Sequence, residues 1–191
     1  MNLNQQLSGD AKRYLRRFYE ILDEMIEGMT CAKLTDSISH NFIVQMIPHH
    51  RAAIEMSESL LMYSDFEPLR RIAENIIKEQ TQSIEDMKNA LPLCETKRNT
   101  RLDLSGYEKR FEEITSVMFS QMRSACSDNN INADFMREMI PHHRGAIRMS
   151  KNALQYPICP QLVPILQAII TSQKRGVREM ESLLSQITCK H

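Results

Sequence analysis

Two adjacent histidines follow a proline twice in this chain. His49 and His50 end the string Met46-Ile47-Pro48-His49-His50, and His142 and His143 end the same string begun by Met139. On a helix at 100° per residue, Met46, His49, Ala53 and Met56 fall on one stripe, with His50 at its edge. Adjacent histidines diverge by about 100° on a helix, so both reach one ion only if it lies between their directions. Neutral imidazoles and thioethers are soft, uncharged donors, a set that suits Cu(I) and, by the same softness, Ag(I). Zinc more often takes cysteine or carboxylate beside histidine. A di-iron bundle needs inward glutamates and Glu-x-x-His pairs. Glu138 lies four residues before His142, but the matching residue before His49 is Gln45.

The two strings belong to a duplication at an offset of 93 residues. Between Phe42–Leu60 and Phe135–Ala153, 11 of 19 positions are identical. Five methionines recur in register: Met25/Met118, Met29/Met122, Met46/Met139, Met56/Met149 and Met87/Met180. Surface charges mostly do not recur, for Glu55 stands opposite Arg148 and Glu58 opposite Lys151. The expected metal ligands are Met46, His49, His50, Met56 and Met87, with Met139, His142, His143, Met149 and Met180 in the second copy. Two plainer readings compete. A methionine stripe usually fills a core, and a buried histidine is usually a hydrogen-bonded core residue. Arg51 and Arg144 also recur, as partners of a carboxylate or of an interface.

The elements that must position these residues read as helices. Five glycines, seven prolines, no tryptophan and no strand-like alternation predict an all-α chain. Each copy reads as three helices, from about Asp10 to Met29, from Asp36 or Ser37 to about Leu60, and from Glu67 to Leu91. The second copy repeats them from about Gly106 to Met122 and from Gln161 to Leu184, with a polar linker from Glu95 to Ser105. Pro48 and Pro141 sit inside helical patterns. Each removes a backbone donor, which favours a kink over a helix that starts at the proline. The expected organisation is a first repeat unit over 1–95 and a second over 96–191. The two bury their apolar faces against each other about a pseudo-two-fold axis.

Charge is balanced, at 24 basic and 24 acidic residues, without a basic patch for nucleic acid. No apolar run reaches membrane-spanning length. The expected partner is a metal ion, with neither nucleic acid nor membrane, and a homodimer stays open. No secretory leader is visible, which reads as cytoplasmic. The cysteines point the other way. Cys31 and Cys94 are 63 residues apart, as are Cys126 and Cys189, and each pair falls just past two neighbouring helix ends. Disulfides there would suit an exported form.

The pattern Phe-x-x-x-Met-Ile-Pro-His-His-Arg-x-Ala-Ile-x-Met-Ser, followed by a helix with Gln80 and Met87, resembles a bacterial family described as a domain of unknown function. Gln173 and Met180 stand at the matching places of the second copy. That family is ferritin-like and includes the CopM-type copper-binding proteins. The resemblance implies copper binding through the ten residues named above. Storage or buffering of copper (Cu+) without catalysis is the leading expectation. A ferritin-like iron, manganese or zinc enzyme would need Glu55, Glu74, Glu138 and Glu179 to converge near the histidines. A structural or interaction module would use the imidazoles to satisfy backbone freed by the prolines.

Overall fold

In the computed structural model, which describes residues 7–94 and 96–188, six helices follow one another. They are α1 (Gly9–Thr30), α2 (Ile38–Leu61), α3 (Glu67–Cys94), α4 (Arg101–Arg123), α5 (Ile131–Ala153) and α6 (Leu162–Thr188). No strand occurs among the described residues. Side-chain caps start four of the helices. Ser8, Ser37, Thr100 and Asn130 accept from Ala11 N, His40 N, Asp103 N and Ala133 N, satisfying donors that a helix start leaves orphaned. Of the two caps expected for α2, Ser37 is the one used.

α2 packs against α1 and α3, and α5 against α4 and α6. Across the middle, α2 meets α5 and α3 meets α6. The stripe Tyr14, Phe18, Ile21, Met25 and Met29 of α1 is buried, as are Tyr107, Phe111, Ile114, Met118 and Met122 of α4. α2 and α5 are buried on more than one side because each lies between helices of its own half and a helix of the other. That position holds the two histidine strings in the centre of one core.

Two expectations need correction, on the linker and on the cysteines. The linker is shorter than Glu95 to Ser105, because α4 begins at Arg101 behind a capping box formed by Thr100 and Asp103. Leu102 in that first turn is 84% exposed, so the turn carries no apolar stripe that periodicity could detect. The prolines are not among these corrections: α2 runs unbroken through Pro48 and α5 through Pro141, so the less favoured reading, a helix that starts at its proline, is the one set aside. The cysteine pairing differs as well. Cys94 is bonded to Cys159, with Cα atoms 5.3 Å apart, and not to Cys31, which is exposed. Cys126 is exposed, and Cys189 lies outside the described residues.

The reason for that pairing is tertiary. α3 continues past Leu91 to Cys94 and meets the loop that enters α6. Ser37 Oγ donates to the Cys94 carbonyl (3.2 Å), Ser39 Oγ accepts from Cys159 N (2.9 Å), and Asn99 Nδ2 donates to the Pro157 carbonyl (2.8 Å). The start of α2, the end of α3, the linker and the α5–α6 loop are thereby tied at one point. The disulfide joins the two halves instead of closing each one.

Candidate functional site

All ten predicted ligands are buried. Met46, His49, His50 and Met56 come from α2, Met139, His142, His143 and Met149 from α5, Met87 from α3 and Met180 from α6. The α2–α5 crossing sets the histidines in one row. The ring centroids of His50 and His49 are 5.9 Å apart, those of His49 and His142 are 3.7 Å apart, and those of His142 and His143 are again 5.9 Å apart. The central pair is stacked, with ring planes 26° apart. Sequence reasoning left open whether the two elements approach each other; here their imidazoles touch.

Few partners serve these rings. His142 Nε2 donates to the His49 carbonyl at 3.1 Å. This is the carbonyl of a histidine in the other half, and not one of those freed by Pro48 or Pro141. At one end, His50 Nε2 meets Ser83 Oγ at 3.1 Å. Both nitrogens of His49 and the Nδ1 atoms of His50, His142 and His143 have no partner among the described residues. A buried polar atom left unpaired costs about 1–3 kcal/mol. The row therefore concentrates unmet lone pairs and N–H groups in an apolar interior.

Burial keeps the row neutral. Desolvation is the first cause at all four positions, and neighbouring imidazoles reinforce it at His49, His50 and His143. His50 is lowered to about 3 and His142 to about 4, while His49 and His143 are held well below the usual imidazole range. Hydrogen bonding across the His49–His142 contact opposes burial at both, and burial wins. Neutral imidazole is the form that ligates a metal.

Carboxylates do not join the row. Among the described residues, no group of three or more His, Cys, Asp or Glu side chains is placed to hold a metal ion. Glu55 pairs with Arg17 at 2.5 Å, Glu74 is exposed, and Glu179 stands 4.0 Å from Arg175. Glu138 is buried and accepts a 2.7 Å hydrogen bond from Tyr14 Oη of α1. Burial raises its pKa well above the usual carboxylate range, against the hydrogen bond from Tyr14. Its counterpart Gln45 donates weakly to the Met29 carbonyl at 3.4 Å, and Tyr107 Oη, the counterpart of Tyr14, has no partner among the described residues. Of the two recurring arginines, Arg144 pairs with Glu181 of α6.

Sequence reasoning missed Ser83 and the glycine that replaces it, Gly176. A Cβ at Gly176 would come within 3.1 Å of His143 Nε2. The signal was present as a Ser-to-Gly difference at an offset of 93, but it has no meaning until each residue is seen against the end of the row.

Comparison with known proteins fits this picture of a fold without an assigned chemistry. Residues 22–91 and 39–184 match the family described as "Domain of unknown function (DUF305)", and the chain belongs to that family. A solved structure, the crystal structure of a DUF305 fragment from Deinococcus radiodurans, is similar to it with a TM-score of 0.58 and 21% identity. That match covers 81% of this chain and 98% of the fragment, a likeness of fold. No curated protein matches the chain.

Proposed function

We propose that this member of the family binds Cu(I), and by the same chemistry Ag(I), through the histidine row and its methionines, and stores or buffers the ion without catalysis. The observation that carries the reading is the run of neutral, buried imidazoles, five of whose nitrogens have no partner among the described residues. Their unmet hydrogen-bonding capacity would be offset by a soft cation that accepts lone pairs and brings little charge into an apolar interior. Buried Met46, Met56, Met87, Met139, Met149 and Met180 would supply thioethers around it. The same reading takes the fold as a ferritin-like bundle of CopM type, made of two tandem three-helix repeats about a pseudo-two-fold axis. The equal 5.9 Å steps on either side of the His49–His142 stack support that arrangement.

Titration of the purified chain with Cu(I) against a competing chelator is expected to give about two tight ions per chain. The His49→Ala/His142→Ala variant is expected to lose them. Uptake below one ion, or unchanged affinity in the variant, overturns the proposal.

A second reading is favoured by one contact. The His142–His49 carbonyl bond ties α5 to α2, so the row could serve as a purely structural clasp. That reading expects His142→Ala to lower the melting temperature and added Cu(I) or Ag(I) to leave the native chain's melting temperature unchanged. A ligand that binds only the folded state raises it by mass action.

A further inference from the structure

Above each end of the histidine row lies an opening between α3 and α6. The cavity over His50 measures about 330 Å³ and is lined by His50, Gln80, Ser83, Asp86, Ile165 and Ile169. The opening over His143 is lined by the residues 93 positions away, namely His143, Gln173, Gly176, Glu179, Ile72 and Ile76, and measures about 20 Å³. The first has the size of a small-molecule site. The second has room for about one water.

The linings differ at several equivalent positions, among them Ala168 against Asn75 and Ser83 against Gly176, and two of the differences meet across the closed mouth. Where the first mouth has Gln82 and Ser172, the second has Arg175 and Glu79. Arg175 reaches from α6 to Glu79 on α3 and forms an ion pair across the mouth. At the open end both counterparts turn back onto their own helices. Gln82 Nε2 donates to Asp86 Oδ1 at 2.9 Å, and Ser172 Oγ donates to the Ile169 carbonyl at 3.2 Å. The charged residues lining the mouths are Lys78, Glu79 and Asp86 at one and Glu79, Arg175 and Glu179 at the other. Formal charge is thus the same at both, and the difference is one of space.

We propose that the row is loaded and emptied from one end only. The cavity over His50 is the vestibule for the soft monovalent cation, and the Arg175–Glu79 pair shuts the equivalent opening over His143. The proposal rests on the reading of the row as the ion site. Ser83 holds His50 at the open end until the ion takes that nitrogen, whereas Gly176 leaves His143 without such a partner on α6.

Access can be read without any metal. Diethyl pyrocarbonate acylates neutral imidazole, and peptide mass mapping of the metal-free chain gives a rate for each histidine, with half-buried His40 as reference. His50 is expected to react at least about ten-fold faster than His143, since reach through the cavity sets the rate. Q82R/S172E should slow His50 towards the rate of His143, and R175Q/E79S should speed His143. These positions lie at the surface, and R175A alone serves as a second test of the closed mouth. Equal rates at both ends in the native chain, or rates indifferent to all three variants, overturn the vestibule. In a parallel arm, Q82R/S172E should slow Cu(I) transfer from a chelator while leaving equilibrium affinity unchanged, and an unchanged rate counts against the vestibule. Asymmetric labelling without Cu(I) uptake sinks the copper reading and the loading route with it, leaving only a one-sided opening over His50. Cu(I) uptake with symmetric labelling keeps the copper reading and sinks the vestibule.

Discussion

α2 and α5 carry the same five-residue string into the same core, yet they bury different things beside it. On α2 the residue before Met46 is neutral Gln45, and on α5 the residue before Met139 is Glu138, buried under Tyr14. At the ends of the row, His50 has a hydroxyl partner and an open cavity, whereas His143 has a glycine and a closed one. The shared part is the soft, uncharged set, and the differences lie in the titratable and steric surroundings. Two halves with a common set of imidazoles and thioethers can therefore differ in access and in pH response. Each contrast can be broken by a substitution or a change of conditions.

Acid should produce the largest effect. The unfolded chain takes protons on its histidines near pH 6.5, while the folded row resists them. Stability is thus fully present above about pH 6.5 and lost as pH falls towards about 4 for His142 and about 3 for His50. At about 1.4 kcal/mol per pKa unit, those two alone amount to about 3 and about 5 kcal/mol once both states are compared below the lower value. That is comparable with the whole stability of a typical domain. Thermal melts of the metal-free chain should be flat from pH 8 to 7 and fall steeply below pH 6. A melting temperature unchanged down to pH 4 would mean that the row is hydrated or already charged.

The disulfide comes next. It joins Cys94 to Cys159 across 65 residues, and removing such a cross-link costs about 4 kcal/mol in the chain-entropy view. Cys159→Ser, or reduction, should lower stability by about that amount. Cys31→Ser, at an exposed position, should change it by less than about 0.5 kcal/mol. Denaturant unfolding of both variants gives the contrast, and equal small effects would mean that the bond does not form.

That pairing also marks where the sequence ran out. The stripe from Phe42 through Met46 and His49 to Met56 was legible because burial on a helix has a period, and Ser37 was legible as a cap. So was the all-helical order of elements, since the duplication presented each helix twice. The equal 63-residue spacings suggested a symmetric pair of bonds, but spacing along a chain says nothing about which helix end meets which loop. The Cys94–Cys159 contact depends on the end of α3 meeting a loop of the other half, through Asn99 and Ser39. The same holds for the stacking of His49 on His142. Nothing local required it, and it follows from where α2 crosses α5.

Glu138→Gln makes the second half resemble the first. Burial raises the Glu138 pKa, so the folded chain keeps a proton that the unfolded chain releases near the ordinary carboxylate value. Its contribution is present at low pH and is lost as pH rises through the raised folded value. At neutral pH the substitution should stabilise by about 1–2 kcal/mol, with a Tyr14 hydrogen bond retained by the amide oxygen. It should also steepen the acid loss, because an opposing proton uptake is gone. Asp134, raised to about 6 chiefly by burial, would keep part of that opposition. Melts at pH 5 and pH 8 decide this, and destabilisation of the variant at both would mean that the carboxylate is ionised and needed.

The smallest effect tests how the methionines pack beside the row. Ala52 of α2 corresponds to Gly145 of α5, and Met25 to Met118. In the first half, Met25 and Ala52 line a groove of about 240 Å³. In the second, the Met118 sulfur fills the space that a Cβ on Gly145 would need. Gly145→Ala gains about 1 kcal/mol of helix propensity. It also drives a buried thioether out of its seat, and overpacking costs about 1–3 kcal/mol. The methionine chain can bend, which puts the cost near the lower end of that range. The two terms nearly cancel, and a net loss of no more than about 1 kcal/mol is expected in denaturant unfolding. Ala52→Gly in the open half faces only the propensity term and a small loss of packing, so it should lose about 1 kcal/mol or slightly more. A clear gain in stability for Gly145→Ala would show that Met118 has another place to go, and that the glycine is not required by the close approach of α4 to α5.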